Sequence, residues 1–455
     1  MLSAELRQSL DTLWDRLWAG GLTNPVSVID QLSCLLFLHR LDEQDLAATR
    51  AGAGPSIFAH DPDLAWHAWR LLRGDELYRR VRDDVFAWVR TFAVTGTAHA
   101  EVFREASLSI PTPELLERAV DVIDRVGASS ATHDAAGDVF EYILSRLSVA
   151  GHLGQFRTPS HLVRLARDLV TISDDDLVLD PAVGTAGFLI AAHEVAPRAE
   201  LVGWEVDPQM LRISTMNLAA RGIANFTIEY HNTLAGEPAP TRPDVILANP
   251  PFAGTVDETA LRGFRVASRR SEVLFLDRME SMLADGGRAA VIVPDGITSS
   301  RAAAQTALRK RLATANRLEA VISLPAGVFR PYTGVSCSIL VWARTEPRAD
   351  VWMFQMRDDG FTLDDRRSPT DTSDIPALLA AWPERRETPL SRLVGIDEVE
   401  TNGWRLNPNW YLGRDAAGPV IDETRVSHAL ERATSALGVL EGRIDVLRAL
   451  AGGVR

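Results

Sequence analysis

The stretch DLVLDPAVGTAGFLIAAHEVA, residues 176–196, passes from an apolar segment through a turn that contains glycines into a helical pattern. Its first five residues have the composition of a short buried strand. Gly184 and Gly187 in the turn allow a ligand to approach the backbone closely, and the start of the next helix offers free N–H groups. We therefore predict a strand–loop–helix unit with a ligand-binding loop at residues 180–187.

Further apolar segments of similar length follow, and helical patterns separate most of them. They lie at residues 200–206, 226–230, 244–249, 289–294, 319–325 and 337–343. Strands that alternate with helices are typical of a parallel α/β sheet, and short, wholly apolar strands are expected where both sheet faces are covered. The predicted fold class is α/β, with a doubly wound, mostly parallel, seven-stranded sheet.

Helical patterns flank the sheet in sequence on both sides. Residues 1–130 show apolar positions at helical spacing without strand alternation, which predicts an all-helical N-terminal domain. The sheet is assigned to a core at residues 131–380, and residues 381–455 to a C-terminal helical tail. Within that tail an apolar heptad seam comprises Val426, Leu430, Ala433, Leu437, Leu440, Ile444, Leu447 and Ala451. A helix with this seam either pairs with a partner protein or packs on its own domain.

Composition restricts the function classes. The 455 residues are 46% hydrophobic and 24% charged, as in ordinary globular proteins, and this length favours two or three domains. The net charge of −13 argues against a chain that grips nucleic acid over a broad surface on its own. The two cysteines predict neither a disulfide framework nor a zinc site, and no metal is expected. No apolar segment suits a membrane span or a signal peptide, so we expect a cytoplasmic protein.

The loop at residues 180–187 lacks the G-x-G-x-x-G pattern, so a pyrophosphate is not its natural ligand. Glu205 stands at the tip of the second predicted strand, where a carboxylate suits the two hydroxyls of a ribose. Taken alone, these features are equally compatible with an ordinary tight turn and a surface glutamate.

A second motif, LANPPFAG at residues 248–255, strengthens the interpretation of a nucleoside site. The side-chain oxygen of Asn249 and the carbonyl of Pro250 can both accept hydrogen bonds from an exocyclic amine. Pro250 and Pro251 each have a fixed φ, which holds that carbonyl in place. Phe252 can stack on a base. Because neither an amide nor a carbonyl abstracts protons, this motif favours direct displacement on a polarised amine. The alternative is a turn stiffened by proline.

These residues resemble class I S-adenosylmethionine-dependent methyltransferases that methylate amines. The resemblance implies that Asn249, Pro250, Pro251 and Phe252 are catalytic. It also implies that cofactor contacts come from Asp180, Gly184, Thr185, Ala186, Gly187, Glu205 and Asn232. The segment GQFRTPS at residues 154–160 is similar to the motif that holds the methionine end of the cofactor, and it adds Gln155, Phe156, Arg157, Thr158, Pro159 and Ser160. The motif order matches the γ arrangement of adenine DNA methyltransferases.

The match narrows further along the chain. Residues 25–43, 324–344 and 356–367 resemble the modification subunit of type I restriction–modification systems. This resemblance implies transfer of a methyl group to N6 of an adenine that is flipped out of DNA. It further implies a specificity subunit, contacted through the C-terminal helix, and a restriction subunit as partners. The NPPF motif also occurs in enzymes that methylate RNA or protein glutamine, and a non-catalytic scaffold is an alternative of another class.

Overall fold

The computed structural model describes residues 3–91, 102–128, 133–145, 158–235, 242–252, 254–257, 261 and 263–412. The regular secondary structure in the N-terminal part of this range is helical, as predicted. Its helices are α1 (Ala4–Ala19), α2 (Pro25–Arg50), α3 (Trp66–Trp69), α4 (Gly74–Arg79), α5 (Phe86–Thr91), α6 (Pro113–Ala128) and α7 (His133–Ser145). Ser3 and Asn24 cap the first two helices through their side-chain oxygens.

A nine-stranded sheet forms the centre of the remaining residues. Its strands are β1 (Leu177–Asp180), β2 (Glu200–Glu205), β3 (Phe226–Tyr230), β4 (Val245–Ala248), β5 (Arg288–Pro294), β6 (Arg317–Ser323), β7 (Cys337–Ala343), β8 (Asp350–Gln355) and β9 (Ser391–Gly395). The spatial order is β3-β2-β1-β4-β5-β7-β6-β8-β9. The first five strands in this order are parallel, and β7 is antiparallel to both β5 and β6.

Helices cover both faces of the sheet. They are α8 (Ser160–Asp168), α9 (Gly187–Val195), α10 (Pro208–Ala220), α11 (Ser271–Met282), α12 (Asp295–Ser299), α13 (Ala303–Thr314), α14 (Ile375–Ala381) and α15 (Ile396–Thr401). One core joins the N-terminal helices with α8, α9, α10 and one side of the strands. A second core lies on the other side, where α11 and α13 pack. The arrangement is the doubly wound, mostly parallel α/β sheet that the sequence predicts.

The sheet is larger than predicted. All seven predicted strands are present, but the number seven was too low because β8 and β9 extend the sheet at one edge. The apolar residues of β8 are sufficient to indicate a strand, whereas β9 is a mixed segment that gains its strand conformation from pairing with β8. The predicted division into three domains remains a prediction, and β9 places residues of the predicted helical tail within the sheet.

A buried ion pair connects the N-terminal helices to the sheet domain. The guanidinium of Arg212 in α10 donates two hydrogen bonds of 3.0 Å to the carboxylate of Asp30 in α2. Both side chains are almost fully buried. Nearby, the amide of Gln209 donates to the hydroxyl of Ser27 over 3.1 Å. These contacts fix α2 against the helix that follows β2.

Two further predictions concern a membrane span and the C-terminal heptad seam. Among the described helices, none combines the length and the apolar character needed to cross a bilayer. The heptad seam at Val426–Ala451 lies outside the described residues.

Candidate active site

The site begins at the carboxyl ends of three neighbouring strands. β1 ends at Asp180, β2 ends at Glu205, and β4 ends at Ala248, directly before Asn249. Since β1 pairs with β2 on one side and with β4 on the other, the chain connections diverge on either side of β1. A crevice at such a point, outside the carboxyl ends of the strands, is where open α/β sheets bind ligands. The two sequence motifs therefore meet at one edge of the sheet.

The loop after β1 is a tight turn held from several sides. Gly184 has φ of +49°, a left-handed conformation that favours glycine, and its N–H donates to Oε2 of Glu205 over 3.2 Å. Ala186 has φ of +65° although it carries a side chain. The Asn217 amide in α10 donates to the carbonyl of Thr185 over 2.8 Å. The loop thus has a defined shape that includes the side chain of Glu205.

Gly203 in β2 is a residue of this site that sequence reasoning missed. A Cβ at this position would lie 2.6 Å from Cδ1 of Ile228 and 2.7 Å from Cγ2 of Val183. Because Gly203 has no side chain, Val183 can pack directly on β2. The N–H of Val183 donates to the carbonyl of Trp204 over 3.0 Å. A glycine within a strand signals a close backbone approach of this kind, but the sequence does not reveal the approaching partner.

Backbone donors surround the carboxylate of Glu205. Its Oε1 accepts from the N–H groups of Val206 and Asp207 over 2.8 and 3.0 Å. Burial raises the pKa of Glu205, and these hydrogen bonds, which favour the charged form, only partly oppose that effect. The geometry is that of a fixed acceptor at the tip of β2. Such an acceptor fits the hydroxyls of a ribose.

Asp180 lies next to this acceptor and is fully buried. Burial raises its pKa to about 8, the nearby carboxylate of Glu205 acts in the same direction, and the N–H of Ala182, which donates to Oδ1 over 3.1 Å, opposes them. Asp180 is therefore largely protonated at neutral pH, and it shapes the start of the loop.

The loop after β3 brings Asn232 to the same edge. The N–H of His231 donates to the carbonyl of Glu205 over 3.0 Å, and the Thr233 hydroxyl donates to the carbonyl of Pro181 over 2.6 Å. Asn232 itself is exposed, and its side-chain oxygen accepts from the N–H of Leu234 over 3.0 Å. Its side-chain oxygen therefore caps a turn beside the loop at residues 180–187.

Asn249 has two differently placed amide ends. Its Nδ2 donates to the hydroxyl of Thr158 over 2.9 Å. Its Oδ1 is buried and has no hydrogen-bond partner among the described residues. A buried acceptor without a partner carries a desolvation cost of about 1–3 kcal/mol, and each such atom in a native structure needs an explanation. An incoming N–H donor would satisfy this oxygen.

The rest of the NPPF motif is firmly supported. The Ser271 hydroxyl, at the start of α11, accepts from the N–H of Gly254 over 2.9 Å and lies 3.4 Å from the carbonyl of Pro251. The ring of Phe252 packs edge to face on the buried ring of Phe329, with centroids 6.3 Å apart and an interplanar angle of 87°. Sequence reasoning missed both Ser271 and Phe329, since each is distant in the chain from the motif it supports.

The structure places only part of the predicted methionine-end motif. Thr158 contacts Asn249, and the carbonyl of Pro159 accepts from the N–H groups of Leu162 and Val163 in the first turn of α8. Ser160 is the exposed first residue of that helix. The predictions for Gln155, Phe156 and Arg157 lie outside the described residues.

Comparison with known proteins gives a consistent result. The profile of the N-6 DNA methylase family matches residues 131–417, and that of the HsdM N-terminal domain matches residues 6–123. A curated relative, the type I restriction enzyme EcoEI methylase subunit of Escherichia coli, is 28% identical over 433 residues, with 87% of this chain and 88% of the relative covered.

Solved structures share the fold. A type I restriction–modification methyltransferase subunit from Streptococcus thermophilus aligns with a TM-score of 0.68 at 19% identity, covering 90% of this chain and 99% of that chain. A chain from a study of complex assembly and conformational transition in a type I system aligns with a TM-score of 0.71 at 24% identity, covering 96% and 98%.

Proposed function

Because the chain belongs to the N-6 DNA methylase family, we propose that it transfers a methyl group to N6 of adenine in a specific DNA sequence, as the modification subunit of a type I restriction–modification complex. The observation that carries this proposal is the buried Oδ1 of Asn249 at the carboxyl end of β4, which has no hydrogen-bond partner within the part of the chain that the structure describes. An N–H donor of the substrate would satisfy it, and N6 of adenine carries two such hydrogens.

The cofactor of this reaction is S-adenosylmethionine, which when bound supplies a methyl group activated on a sulfonium. The residues present fit its nucleoside. Glu205 offers a fixed carboxylate to the ribose, the loop at residues 180–187 lines the crevice, and Asn232 lies beside that loop. Thr158, Pro159 and Ser160 lead into α8 next to Asn249, and we assign the preceding Gln155, Phe156 and Arg157 to the methionine end.

The chain's own residues then prepare the amine. The lone pair of N6 is delocalised into the adenine ring, which makes it a weak nucleophile. Hydrogen bonds from the two N6 hydrogens to Oδ1 of Asn249 and to the Pro250 carbonyl localise that lone pair on nitrogen. Phe252, braced by Phe329, stacks on the base. With the cofactor bound, attack of N6 on the methyl carbon would break the bond from that carbon to the sulfonium sulfur and leave S-adenosylhomocysteine. The surplus proton on N6 would then pass to solvent, since neither acceptor is a base.

The adenine reaches this crevice only after it leaves the duplex, because stacking and pairing enclose N6. We assign sequence choice to a specificity subunit, and a restriction subunit completes the assembly. The net charge of −13 is consistent with a chain that depends on partners to hold DNA. Similarity over most of its length to the EcoEI methylase subunit, a subunit of a type I restriction enzyme, supports a place for this chain in a multi-subunit enzyme.

The proposal is tested with the chain co-expressed and purified with a candidate specificity subunit from the same genome. DNA that carries the recognised sequence is incubated with S-adenosylmethionine labelled with deuterium in the methyl group, then digested to nucleosides for mass spectrometry. We expect the label in N6-methyldeoxyadenosine alone. Label in methylcytosine, in RNA or in protein glutamine would contradict the proposal.

Cofactor binding is measured separately by calorimetry. Glu205→Ala should raise the dissociation constant of S-adenosylmethionine, because the ribose loses its acceptor and the loop loses its bond to Gly184. The exposed Glu200, at the opposite end of β2, provides the matched control variant Glu200→Ala, which should bind as the wild type does. An unchanged constant for Glu205→Ala would remove the ribose role.

A further inference from the structure

The amide of Asn249 has an orientation problem. The last torsion of an asparagine side chain has a broad, roughly two-fold preference, so the side chain alone selects its amide plane weakly. Methyl transfer by the proposed route needs the oxygen, not the N–H₂ group, to face the substrate amine. A neighbouring group therefore has to hold the amide in position. Among the described residues, the hydrogen bond from Nδ2 to the Thr158 hydroxyl holds the amide plane, and the substrate amine then selects the amide end that faces it.

We propose that Thr158 is a positioning residue for the catalytic amide and that a clamp of His161, Asp359, Phe361 and Arg367 holds Thr158 in place. This inference rests on the proposed function. It assigns to Thr158 a role beyond the cofactor contact implied by its motif. It also assigns a role to residues 356–367, a segment that sequence resemblance singled out and that the catalytic motifs leave unexplained.

The Thr158 hydroxyl anchors the Asn249 amide. Thr158 accepts from Nδ2 at 2.9 Å, which anchors one end of the amide and leaves Oδ1 directed elsewhere. A hydroxyl can also donate, so the bond fixes the position of the amide plane. The substrate amine, which brings only donors, then selects the orientation in which oxygen faces it.

The backbone of Thr158 is restricted by Pro159 and by the first turn of α8. The next residue is a proline, which restricts Thr158 to extended conformations. The Pro159 carbonyl accepts from Leu162 and Val163 over 2.9 and 3.1 Å, so Thr158 is joined rigidly to the first turn of α8. Whatever fixes that turn also fixes the distance from the Thr158 hydroxyl to Asn249.

The clamp joins the first turn of α8 to the loop after β8. Nε2 of His161, in the first turn of α8, lies 2.8 Å from Oδ2 of Asp359, and Arg367 also donates to that oxygen. The His161 ring stacks on Phe361 with centroids 4.6 Å apart and an interplanar angle of 25°. The Arg367 guanidinium lies 5.5 Å from the Phe361 centroid. Two rings and two charges thus attach α8 to the loop after β8.

Burial makes this clamp rigid. Asp359 is only 2% exposed. Burial raises the pKa of Asp359, but the hydrogen bonds from His161 and Arg367 outweigh burial and leave the pKa below its ordinary value. The carboxylate is therefore ionised and depends on these partners to stay so. Moving α8 away from the loop would leave a buried charge poorly compensated, which is costly.

The first experiment compares Thr158→Val, Thr158→Ser and the control Thr215→Val in the complex with the specificity subunit. Thr215 is buried like a core residue, and its hydroxyl donates to the Leu211 carbonyl in α10 over 2.9 Å. We expect Thr158→Val to lower kcat roughly 10–100-fold, as for a contact that strengthens in the transition state, with only a few-fold rise in the KM for DNA. Thr158→Ser should restore kcat to within about threefold of the wild type, as it keeps the anchoring hydroxyl. The control should keep its kcat.

A binding measurement without turnover provides the second readout. In the presence of S-adenosylhomocysteine, the complex is titrated with DNA that carries either adenine or purine at the target position. Purine lacks the N6 amine that would donate a hydrogen bond to Oδ1 of Asn249, so the wild type should bind adenine DNA more tightly than purine DNA. In Thr158→Val this preference should fall several-fold, because the Asn249 amide is no longer held, and the Pro250 carbonyl should supply what remains. An adenine preference in Thr158→Val equal to that of the wild type would overturn the positioning role.

The clamp is tested by a double-mutant cycle. Asp359→Asn should lower kcat in the same direction as Thr158→Val. If the clamp acts through Thr158, the double variant should be no slower than Thr158→Val alone, since coupled residues are not additive. Fully multiplied losses would show that the clamp acts elsewhere. These outcomes are distinct from failure of the proposed function, in which the wild-type complex itself would leave adenine unmethylated.

Discussion

A buried amide oxygen, a phenyl ring and a protonated carboxyl are the side-chain groups on which the account rests at the scale of single residues. Asp180 is the last residue of β1, and Asn249 and Phe252 follow the end of the neighbouring strand β4. Because parallel strands end at one edge, a correct assignment of strands was enough to predict that these residues would come together. Their assigned roles in methyl transfer remain a proposal.

Phe252 gives the first prediction at this scale. Phe252→Ala should weaken methylation through lost stacking on the flipped base, which is worth roughly 1–3 kcal/mol, whereas Phe252→Tyr should keep the wild-type rate. Steady-state kinetics on the same DNA would decide between them. The role of Phe252 as a stacking ring would be lost if the Ala and Tyr variants were equally active.

Asp180 gives a prediction about pH. Its pKa is raised from 3.8 to about 8, so its stabilising contribution is complete below pH 3.8 and is lost as pH rises through about 8. Asp180→Asn keeps the acceptor for Ala182 and has no charge to bury. The wild type should therefore lose stability relative to this variant between about pH 5 and pH 8, by at most about 1.4 kcal/mol per pH unit. Urea unfolding without cofactor measures this difference, and parallel stability curves would contradict it.

Contacts between distant residues set the limit of sequence reasoning. The bond between Thr158 and Asn249 joins residues 91 positions apart, and no local pattern announces it. The same holds for Phe329 beneath Phe252. Gly203 is visible as a glycine in a strand, yet the sequence does not say that Val183 is what it accommodates.

Elements were more predictable than contacts, because hydrophobic periodicity is a local property. The seven predicted strands and the helical N-terminal domain are confirmed among the described residues. The sequence fell short at β9, since Ser391 and Arg392 dilute its apolar pattern and pairing with β8 supplies the missing preference. Such an edge strand is formed by tertiary structure rather than by propensity.

The contact between α2 and α10 supports a prediction at the scale of elements. Removing one partner of the buried pair Asp30–Arg212 leaves a buried charge, so Arg212→Met should cost about 3–5 kcal/mol of unfolding free energy. Replacing both residues, as in Asp30→Leu with Arg212→Met, should recover most of that loss. Denaturant titration of the wild type and the two variants measures this. A double variant less stable than Arg212→Met would show that the pair contributes net stability.

The C-terminal helix remains a prediction because Val426–Ala451 lies outside the described residues. We expect its seam to bind the specificity subunit. Leu440→Asp with Leu447→Asp would place two charges in that interface, where unpaired burial costs several kcal/mol. Cofactor binding, measured by calorimetry, should be preserved, whereas co-purification of the specificity subunit should fail. A double variant that still assembles would assign the helix to packing on its own domain.

At the scale of the whole molecule, the chain combines the candidate site at the carboxyl ends of β1, β2 and β4 with a negative net charge that disfavours binding to DNA. A net charge of −13 disfavours a broad phosphate-binding surface, whereas the carboxyl ends of β1 and β4 lie side by side at one edge of the sheet. Under the proposed function this edge receives a single flipped base, and another subunit supplies the DNA contacts. The total charge is what predicts this dependence, and the choice of the DNA sequence by that subunit remains a proposal.

The central claim is that Asn249 directs methyl transfer to adenine N6 in a defined DNA sequence. The most direct measurement is a map of N6-methyladenine in the DNA of cells that express the chain with a candidate specificity subunit from the same genome, compared with cells that express Asn249→Ala with that subunit. We predict one methylated sequence motif with the wild type and its absence in the variant, since losing such an acceptor raises the barrier by about 2–4 kcal/mol. Stable expression and normal cofactor affinity of the variant are the controls. An unmodified genome with the wild type, or an unchanged motif with Asn249→Ala, would contradict the account.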